Sequence, residues 1–326
     1  MVPSFDYVIE HKGISEQEAK KLSILTHEHM AKLFEVTNAL RQHFKGNGVN
    51  ICSIINAKSG LCPEDCTFCA QSAHYKTAAK RYPLLKPDII VEKARNAVGW
   101  GARGFSIVTS GYGIDNQSDL DEVANAIKGI AEHTPMYGCA SLGILTKHEL
   151  SYLKDAGLVK YHHNLETSRS FFPGVCTTHP YDDDIEAVKN AKQAGLNVCS
   201  GGIFGLGESW DDRIELAFTL KDLNVDSVPI NFLNPIKGTP LEGKTLLTPI
   251  ECLKIIAIFR LILPEKDIVI CGGREVNLRD MQSMIFYAGA NGMMTGGYLT
   301  TSGRPVEDDL RMIHDLGFEV SKPITV

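Results

Sequence analysis

This 326-residue chain has no long apolar run. Its most apolar window, Cys252–Leu263, is broken by Lys254 and Arg260 and is too short to span a bilayer, so no membrane role is expected. It also has no basic block. Against 39 Asp+Glu stand 33 Lys+Arg, a net charge of −6, which argues against nucleic acid as a partner. Met1–Gly13 carries Asp6, Glu10 and Lys12 without an apolar stretch, so no secretory leader is expected and the chain reads as cytoplasmic. A disulfide framework is missing as well. The nine cysteines are odd in number and unevenly spaced, and cytoplasmic thiols stay reduced for metal binding or chemistry.

What is present is an alternation. Eight short β-rich runs (Val49–Asn56, Gly104–Thr109, Met136–Ala140, Val159–Asn164, Asn197–Gly201, Ser227–Asn231, Ile268–Cys271 and Gly292–Thr295) are separated by amphipathic segments. Helices are predicted over Ile89–Val98, Leu120–Ala131, Lys147–Ala156, Asp184–Ala194, Trp210–Leu223, Ile250–Leu261 and Leu278–Ala288. Thr146 with Glu149, and Thr248 with Glu251, read as capping boxes; Gly157, Gly195 and Gly289 read as helix stops. Eight strand–helix units without a Pro/Gly/Ser-rich linker favour an α/β fold of the (β/α)8 TIM-barrel type, in a single domain. Residues 1–48 read as a helical N-terminal extension, and 49–326 as the barrel with a C-terminal segment closing it. In such a barrel chemistry gathers at the C-terminal ends of the strands.

Three cysteines crowd the loop after the first strand: Cys62-Pro-Glu-Asp-Cys66-Thr-Phe-Cys69. Structural zinc needs a fourth ligand, for which Cys52 or His74 are the candidates. A cubane iron–sulfur cluster on three thiolates instead leaves one iron open to a small molecule. The spacing C-x3-C-x2-C, with an aromatic residue before the last cysteine, resembles the signature of the radical S-adenosylmethionine (SAM) superfamily. The resemblance implies a [4Fe–4S] cluster whose open iron chelates SAM and cleaves it to a 5′-deoxyadenosyl radical.

Further strings resemble the biotin synthase family in order from about Val49 to Thr301: Tyr161-His-His-Asn164-Leu-Glu166-Thr167, Val198-Cys199-Ser-Gly-Gly-Ile-Phe-Gly-Leu-Gly-Glu208, Ser227-Val-Pro-Ile-Asn231, Lys237-Gly-Thr-Pro240 and Gly273-Arg274-Glu275. That family inserts sulfur into dethiobiotin to make biotin, the sulfur coming from an auxiliary [2Fe–2S] cluster on three cysteines and one arginine. Cys139, Cys199 and Arg274 match that site. The remaining cysteine is replaced by Ser106, a hard and poor ligand for iron–sulfide, and Gly104 stands where the family tends to carry arginine. Cys271 is the substitute ligand of choice and Cys52 a possible fourth, with Arg274 as ligand or as donor to the cluster's sulfides. A four-iron auxiliary cluster, able to carry an extra sulfide, is preferred over a rearranged [2Fe–2S] cluster.

By the same resemblance Asn164 and Glu166 meet the SAM ribose and the substrate, with Glu166 in place of the family's usual Asp and His162 in place of its Asn. Gly201 and Gly205 let backbone approach the adenosine, Asn231 meets the ureido ring of dethiobiotin, and Thr300 and Thr301 line the substrate's far end. An electron donor such as flavodoxin or ferredoxin and a homodimer are implied. The competing readings are a sister radical SAM enzyme, of hydrogenase-maturase or mutase type, and a non-catalytic metal-binding regulator. Cys176 and Cys252 read as core-filling thiols. Gly238–Thr245 spells the P-loop pattern, but no helix opens at Lys244-Thr245, so ATP is not expected there.

Overall fold

The computed structural model describes residues 2–322. Met1 of the expected extension and residues 323–326 of the expected barrel segment lie outside the described residues. Three helices come first: α1 (Phe5–Glu10), α2 (Glu16–Ser23) and α3 (Met30–Lys45). Ser15 and Glu18 cap α2 reciprocally.

The alternation that follows is β1 (Gly48–Lys58), α4 (Pro87–Val98), β2 (Gly104–Thr109), α5 (Gln117–His133), β3 (Tyr137–Ser141), α6 (Lys147–Asp155), β4 (Leu158–His162) and α7 (Tyr181–Gln193). It continues with β5 (Asn197–Cys199), β6 (Gly202–Phe204), α8 (Trp210–Asp222), β7 (Ser227–Phe232), α9 (Pro249–Ile262), β8 (Asp267–Ile270), α10 (Arg274–Leu278) and β9 (Gly292–Met294), then α11 (Val306–Asp315) and β10 (Glu319–Val320). Every pairing among the named strands is parallel, and β1 bonds to both β2 and β9, which closes the barrel. The expected (β/α)8 architecture is therefore present. The short β10 adds to the start of β1, with Gly48 opposite Glu319.

The fifth stave is split. Both β5 and β6 pair with β7, and Ser200-Gly201 intervene. On β7 the facing residue is Pro229, which has no N–H to give. A Cβ on Gly201 would stand 2.0 Å from the Pro229 carbonyl oxygen, and the Gly201 N–H turns to Asn164 Oδ1 at 3.2 Å. The ladder yields there to a side chain from the mouth of β4.

Two sequence expectations are corrected. The helix predicted over Leu278–Ala288 is instead the short α10 followed by a 3₁₀ turn, Arg279–Ile285. Tertiary bonds override the repeat: Asn277 donates to the Leu233 carbonyl at 2.9 Å and accepts from the Leu247 N–H at 3.1 Å. The Thr248 box is only half formed. Thr248 accepts from the Glu251 N–H, but the Glu251 carboxylate takes Arg213 Nη1 at 2.7 Å. The Thr146–Glu149 box is complete.

The helix α9 is buried along most of its length and lies against α3, with Cys252 fully enclosed. Its Arg260 is buried too, and donates to the carbonyls of Gly289, Pro264 and Lys266 and to Asn291 Oδ1. Every donor that reaches one of these acceptors offsets part of the cost of enclosing the charge. Gly238–Thr245 runs as a loop between β7 and α9. Glu242 accepts the Gly238 N–H at 2.7 Å, so the loop's own carboxylate fills the place a phosphate would need. No helix among the described residues is long and apolar enough to cross a membrane.

Candidate active site

Two cavities open at the C-terminal mouth of the barrel, of about 220 and about 350 Å³. They share a wall that includes Cys69, His162, Asn164 and Glu166.

The upper cavity is lined by Cys62, Cys66 and Cys69. Their loop is folded on itself: the Cys62 N–H donates to the Gln71 carbonyl at 3.0 Å, and the Ala73 N–H to the Cys62 carbonyl at 2.8 Å. The two acids between the cysteines anchor it to the loop before α7. Asp65 accepts the Thr177 N–H at 2.8 Å. Glu64 accepts Thr178 Oγ1 and His179 Nδ1, each at 2.5 Å. His179 Nε2 faces Asp184 at 3.4 Å, and Asp184 takes His163 Nε2 at 2.8 Å. Burial works against the His179 charge, but Asp184, Cys176 and Glu64 outweigh it and lift its pKa to about 11.

Cys176 is buried and lies beside Cys66, with His179 Nδ1 at 3.4 Å. The bond from Cys66 dominates burial and lowers the Cys176 pKa to about 5. Glu64, Cys176 and His179 hold their ligating atoms within 4.8 Å of one another. The candidates named for a fourth zinc ligand lie elsewhere. His74 is exposed and bonds the Pro63 carbonyl at 2.8 Å, and Cys52 lines the lower cavity.

Glu166 sits past the end of β4 with φ +60°, left-handed for a residue with a side chain, and its carbonyl accepts the Ile203 N–H at 2.8 Å. That bond pins the strained backbone against β6. Asn164 Nδ2 donates to Glu166 Oε2 at 3.2 Å. Burial first, then the charge of Asp184, raises the Glu166 pKa to about 8. Burial lowers His162 to about 4, so this imidazole is neutral.

The lower cavity brings together Cys52, Cys139, Cys199 and Cys271, which come from four different staves. Ser106 stands opposite Cys139 in register, lines the same space and has no hydrogen-bond partner. Burial raises all four thiols, Cys199 to about 11. Asn231 is at the wall, its Oδ1 accepting the Gly272 N–H at 3.0 Å and its Nδ2 donating to the Gly202 carbonyl at 3.3 Å. One N–H and one lone pair remain for a ligand. Thr300 and Thr301 line this cavity as well.

Three expected site residues stand outside both walls. Arg274 is fully buried, pairs with Asp309 at 2.5 Å and bonds Gln282. Gly201 packs on Pro229. The Gly205 N–H is taken by Glu208 at 2.9 Å.

Sequence reasoning missed Lys160, which lines the lower cavity. It shares the inward parity of His162, two residues on along β4, and that period was the available signal. Burial acts to lower its pKa, but the negative charge that Cys199, Tyr137, Cys139 and Cys52 carry when ionised outweighs it and raises it. The Glu64–His179 anchor had no local signal, because its halves lie more than a hundred residues apart.

These residues suit iron–sulfur groups. Several thiols line each cavity, and soft iron favours thiolate. The family comparisons agree. The Radical SAM superfamily matches residues 58–220, and the Biotin and Thiamin Synthesis associated domain matches 229–319. Proteins named biotin synthase are similar along nearly the whole chain. That of Geobacter sulfurreducens is 53% identical over 313 residues, covering 96% of this chain and 95% of its own. That of Trichlorobacter lovleyi is 54% identical over 315 residues, covering 97% and 95%. Among solved structures, methylornithine synthase superposes with a TM-score of 0.85 at 21% identity over 98% of this chain and 97% of its own. The [FeFe]-hydrogenase maturase HydG gives 0.83 at 17% over 98% and 75%. Those two likenesses speak for the fold alone. Identity above one half across nearly full length decides the family, and this chain belongs to the biotin synthases, radical SAM enzymes that use a [4Fe–4S] cluster, SAM and an auxiliary iron–sulfur cluster.

Proposed function

We propose that this protein converts dethiobiotin to biotin, with Cys62, Cys66 and Cys69 holding the SAM-binding cluster and Cys139, Cys199 and Cys271 the auxiliary cluster. The observation that carries the reading is the wall shared by the two cavities, with Cys62, Cys66, Cys69 and Cys176 lining the upper one and Cys52, Cys139, Cys199 and Cys271 gathered in the lower. When bound, the groups above supply a hydrogen-abstracting radical and the group below supplies sulfur. The chain's own residues do the rest. Glu166 and Asn164 present an acceptor and an amide to the vicinal hydroxyls of a ribose. Asn231 turns its free N–H and lone pair to a ureido ring, and Thr300 and Thr301 face the substrate's far end.

Cys52 is the candidate fourth auxiliary ligand, and the auxiliary cluster is of four-iron type. Arg274, engaged by Asp309 and Gln282, braces the wall behind Cys271. Residues 1–48 form a helical extension and 49–326 the working barrel with its closing segment. The enzyme works as a cytoplasmic homodimer that draws electrons from a flavodoxin- or ferredoxin-like donor. Anaerobic incubation with SAM, a strong reductant and dethiobiotin, followed by mass detection of biotin, tests the reading. Cleavage of SAM without biotin would assign the chain to a sister radical reaction instead.

A further inference from the structure

Lys160 places an ammonium inside the barrel where no carboxylate answers it. Its Nζ reaches Ser227 Oγ at 3.4 Å and lies 5.7 Å from the centroid of the Tyr137 ring. Among the described residues no acid lies within ion-pair distance of it. Asp267, at the start of β8, is already held by Lys45 at 2.8 Å and by Asn291 at 2.9 Å. An enclosed charge without a counter-ion is costly, and a chain retains one where an anion completes the site.

The surroundings say which anion. Lys160 is the register partner of Cys139 on β3, and its ammonium shares the lower cavity with Cys52, Cys139 and Cys199. The space it uses is prepared. A Cβ on Gly104 would stand 2.5 Å from Tyr137 Cε2 and 3.2 Å from Cys139 Sγ, so only glycine lets the Tyr137 ring lie beneath the lysine.

The geometry points to Lys160 as the counter-charge of the auxiliary iron–sulfur centre, donating to its thiolate or sulfide sulfur. This rests on the assignment of Cys139, Cys199 and Cys271 to that centre. A cation beside a cluster favours the more negative, reduced state and strengthens the hold on anionic sulfur. The ammonium is then a burden to the metal-free barrel and an asset to the loaded one.

The test uses the Cys62/Cys66/Cys69→Ala protein, reconstituted anaerobically without dethiobiotin so that no substrate carboxylate can take part. Lys160→Met should move the auxiliary midpoint potential to a more negative value and speed iron loss to a chelator roughly tenfold, the factor expected for one lost charge-assisted hydrogen bond. Lys160→Arg should restore most of both. In the metal-free full chain Lys160→Met should unfold at the same or a higher urea concentration than the parent. A Lys160→Met protein with the parent's potential and chelation rate overturns the proposal. So does a metal-free Lys160→Met chain that is less stable, because the lysine then serves the barrel itself. If the triple-alanine protein with Lys160 intact binds no iron, the thiol assignment falls and this inference with it, an outcome distinct from loading that is indifferent to Lys160.

Discussion

Asn164 and Glu166 bond to each other across the wall between the two cavities, 3.2 Å from amide nitrogen to carboxylate oxygen, with Glu166 held at φ +60°. A buried acid with its pKa raised from 4.5 to about 8 favours its neutral form in the folded chain. By linkage its stabilising contribution is complete below pH 4.5 and is lost as pH rises through about 8. Glu166→Gln keeps the acceptor for Asn164 and removes the titration. The metal-free variant should therefore gain stability over the parent as pH goes from 4.5 to 8, read as urea midpoints across that window. Equal slopes for the two proteins would show that Glu166 is ionised throughout. Above pH 8, where Glu166 of the parent is ionised, SAM affinity should fall about tenfold in the variant, the loss of one charged hydrogen bond to a hydroxyl.

The Glu64–His179 contact ties the three-cysteine loop to the segment before α7. Both side chains are about nine-tenths buried. His179→Ala leaves the Glu64 carboxylate with Thr178 and the long contact from Cys176, at a cost of about 1–3 kcal/mol. The expected result is a lower melting temperature and faster iron loss from the loop, measured in a Cys139/Cys199/Cys271→Ser background so that only one cluster reports. Unchanged iron retention would mean that the loop holds its shape without this anchor.

Cys176 stands close enough to Cys66 to compete as a ligand, and the radical scheme requires that it does not. Cys176→Ala should retain the iron content of the loop and cleave SAM at a rate within about threefold of the parent, the scatter expected of a tolerated core substitution. Loss of the four-iron absorption in this variant would identify Cys176 as a fourth ligand that closes the iron.

How far the sequence could be read depended on the range of each signal. The eight staves and the glycine stops were legible because period-2 and period-3.6 patterns are local, and Gly157, Gly195 and Gly289 all adopt the positive φ expected of them. The break at Gly201 was not legible, since its cause is Pro229 on another stave. The Leu278–Ala288 helix failed for the same reason: Asn277 spends its amide on Leu233 and Leu247. At the site, Cys139 and Cys199 were legible through the family resemblance, and Cys271 and Cys52 through their place on or beside predicted strands. Lys160 was passed over because lysine is ordinarily a surface residue.

Gly104 lacks a side chain where the Tyr137 ring stands, and the fit is tight on two sides. Gly104→Ala would press its methyl on Tyr137 Cε2 at 2.5 Å and on Cys139 Sγ at 3.2 Å. Overpacking of this kind costs about 1–3 kcal/mol. In a Tyr137→Leu background the same substitution should cost less than half as much, a coupling that urea titration of the four proteins in the cycle measures. Additive costs would show that Tyr137 is free to move aside.

The ligand set of the lower cavity is tested most sharply at Cys271. It is 3% exposed, and its thiol makes only a long contact of 3.7 Å with the Val269 carbonyl, so no structural bond explains a thiol there. Cys271→Ser changes one atom and preserves shape, while a hydroxyl is a much poorer ligand for iron–sulfide than a thiolate. The three-cysteine loop lines the upper cavity, and under the proposed function its chemistry should survive. The variant is therefore expected to cleave SAM at close to the parent rate, to bind less auxiliary iron, and to form little biotin from dethiobiotin. Cys252→Ser, on the buried face of α9 and outside both cavities, is the control that keeps biotin formation. Should Cys271→Ser make biotin as the parent does, the third auxiliary ligand has to be sought at Cys52, which faces the same space from β1.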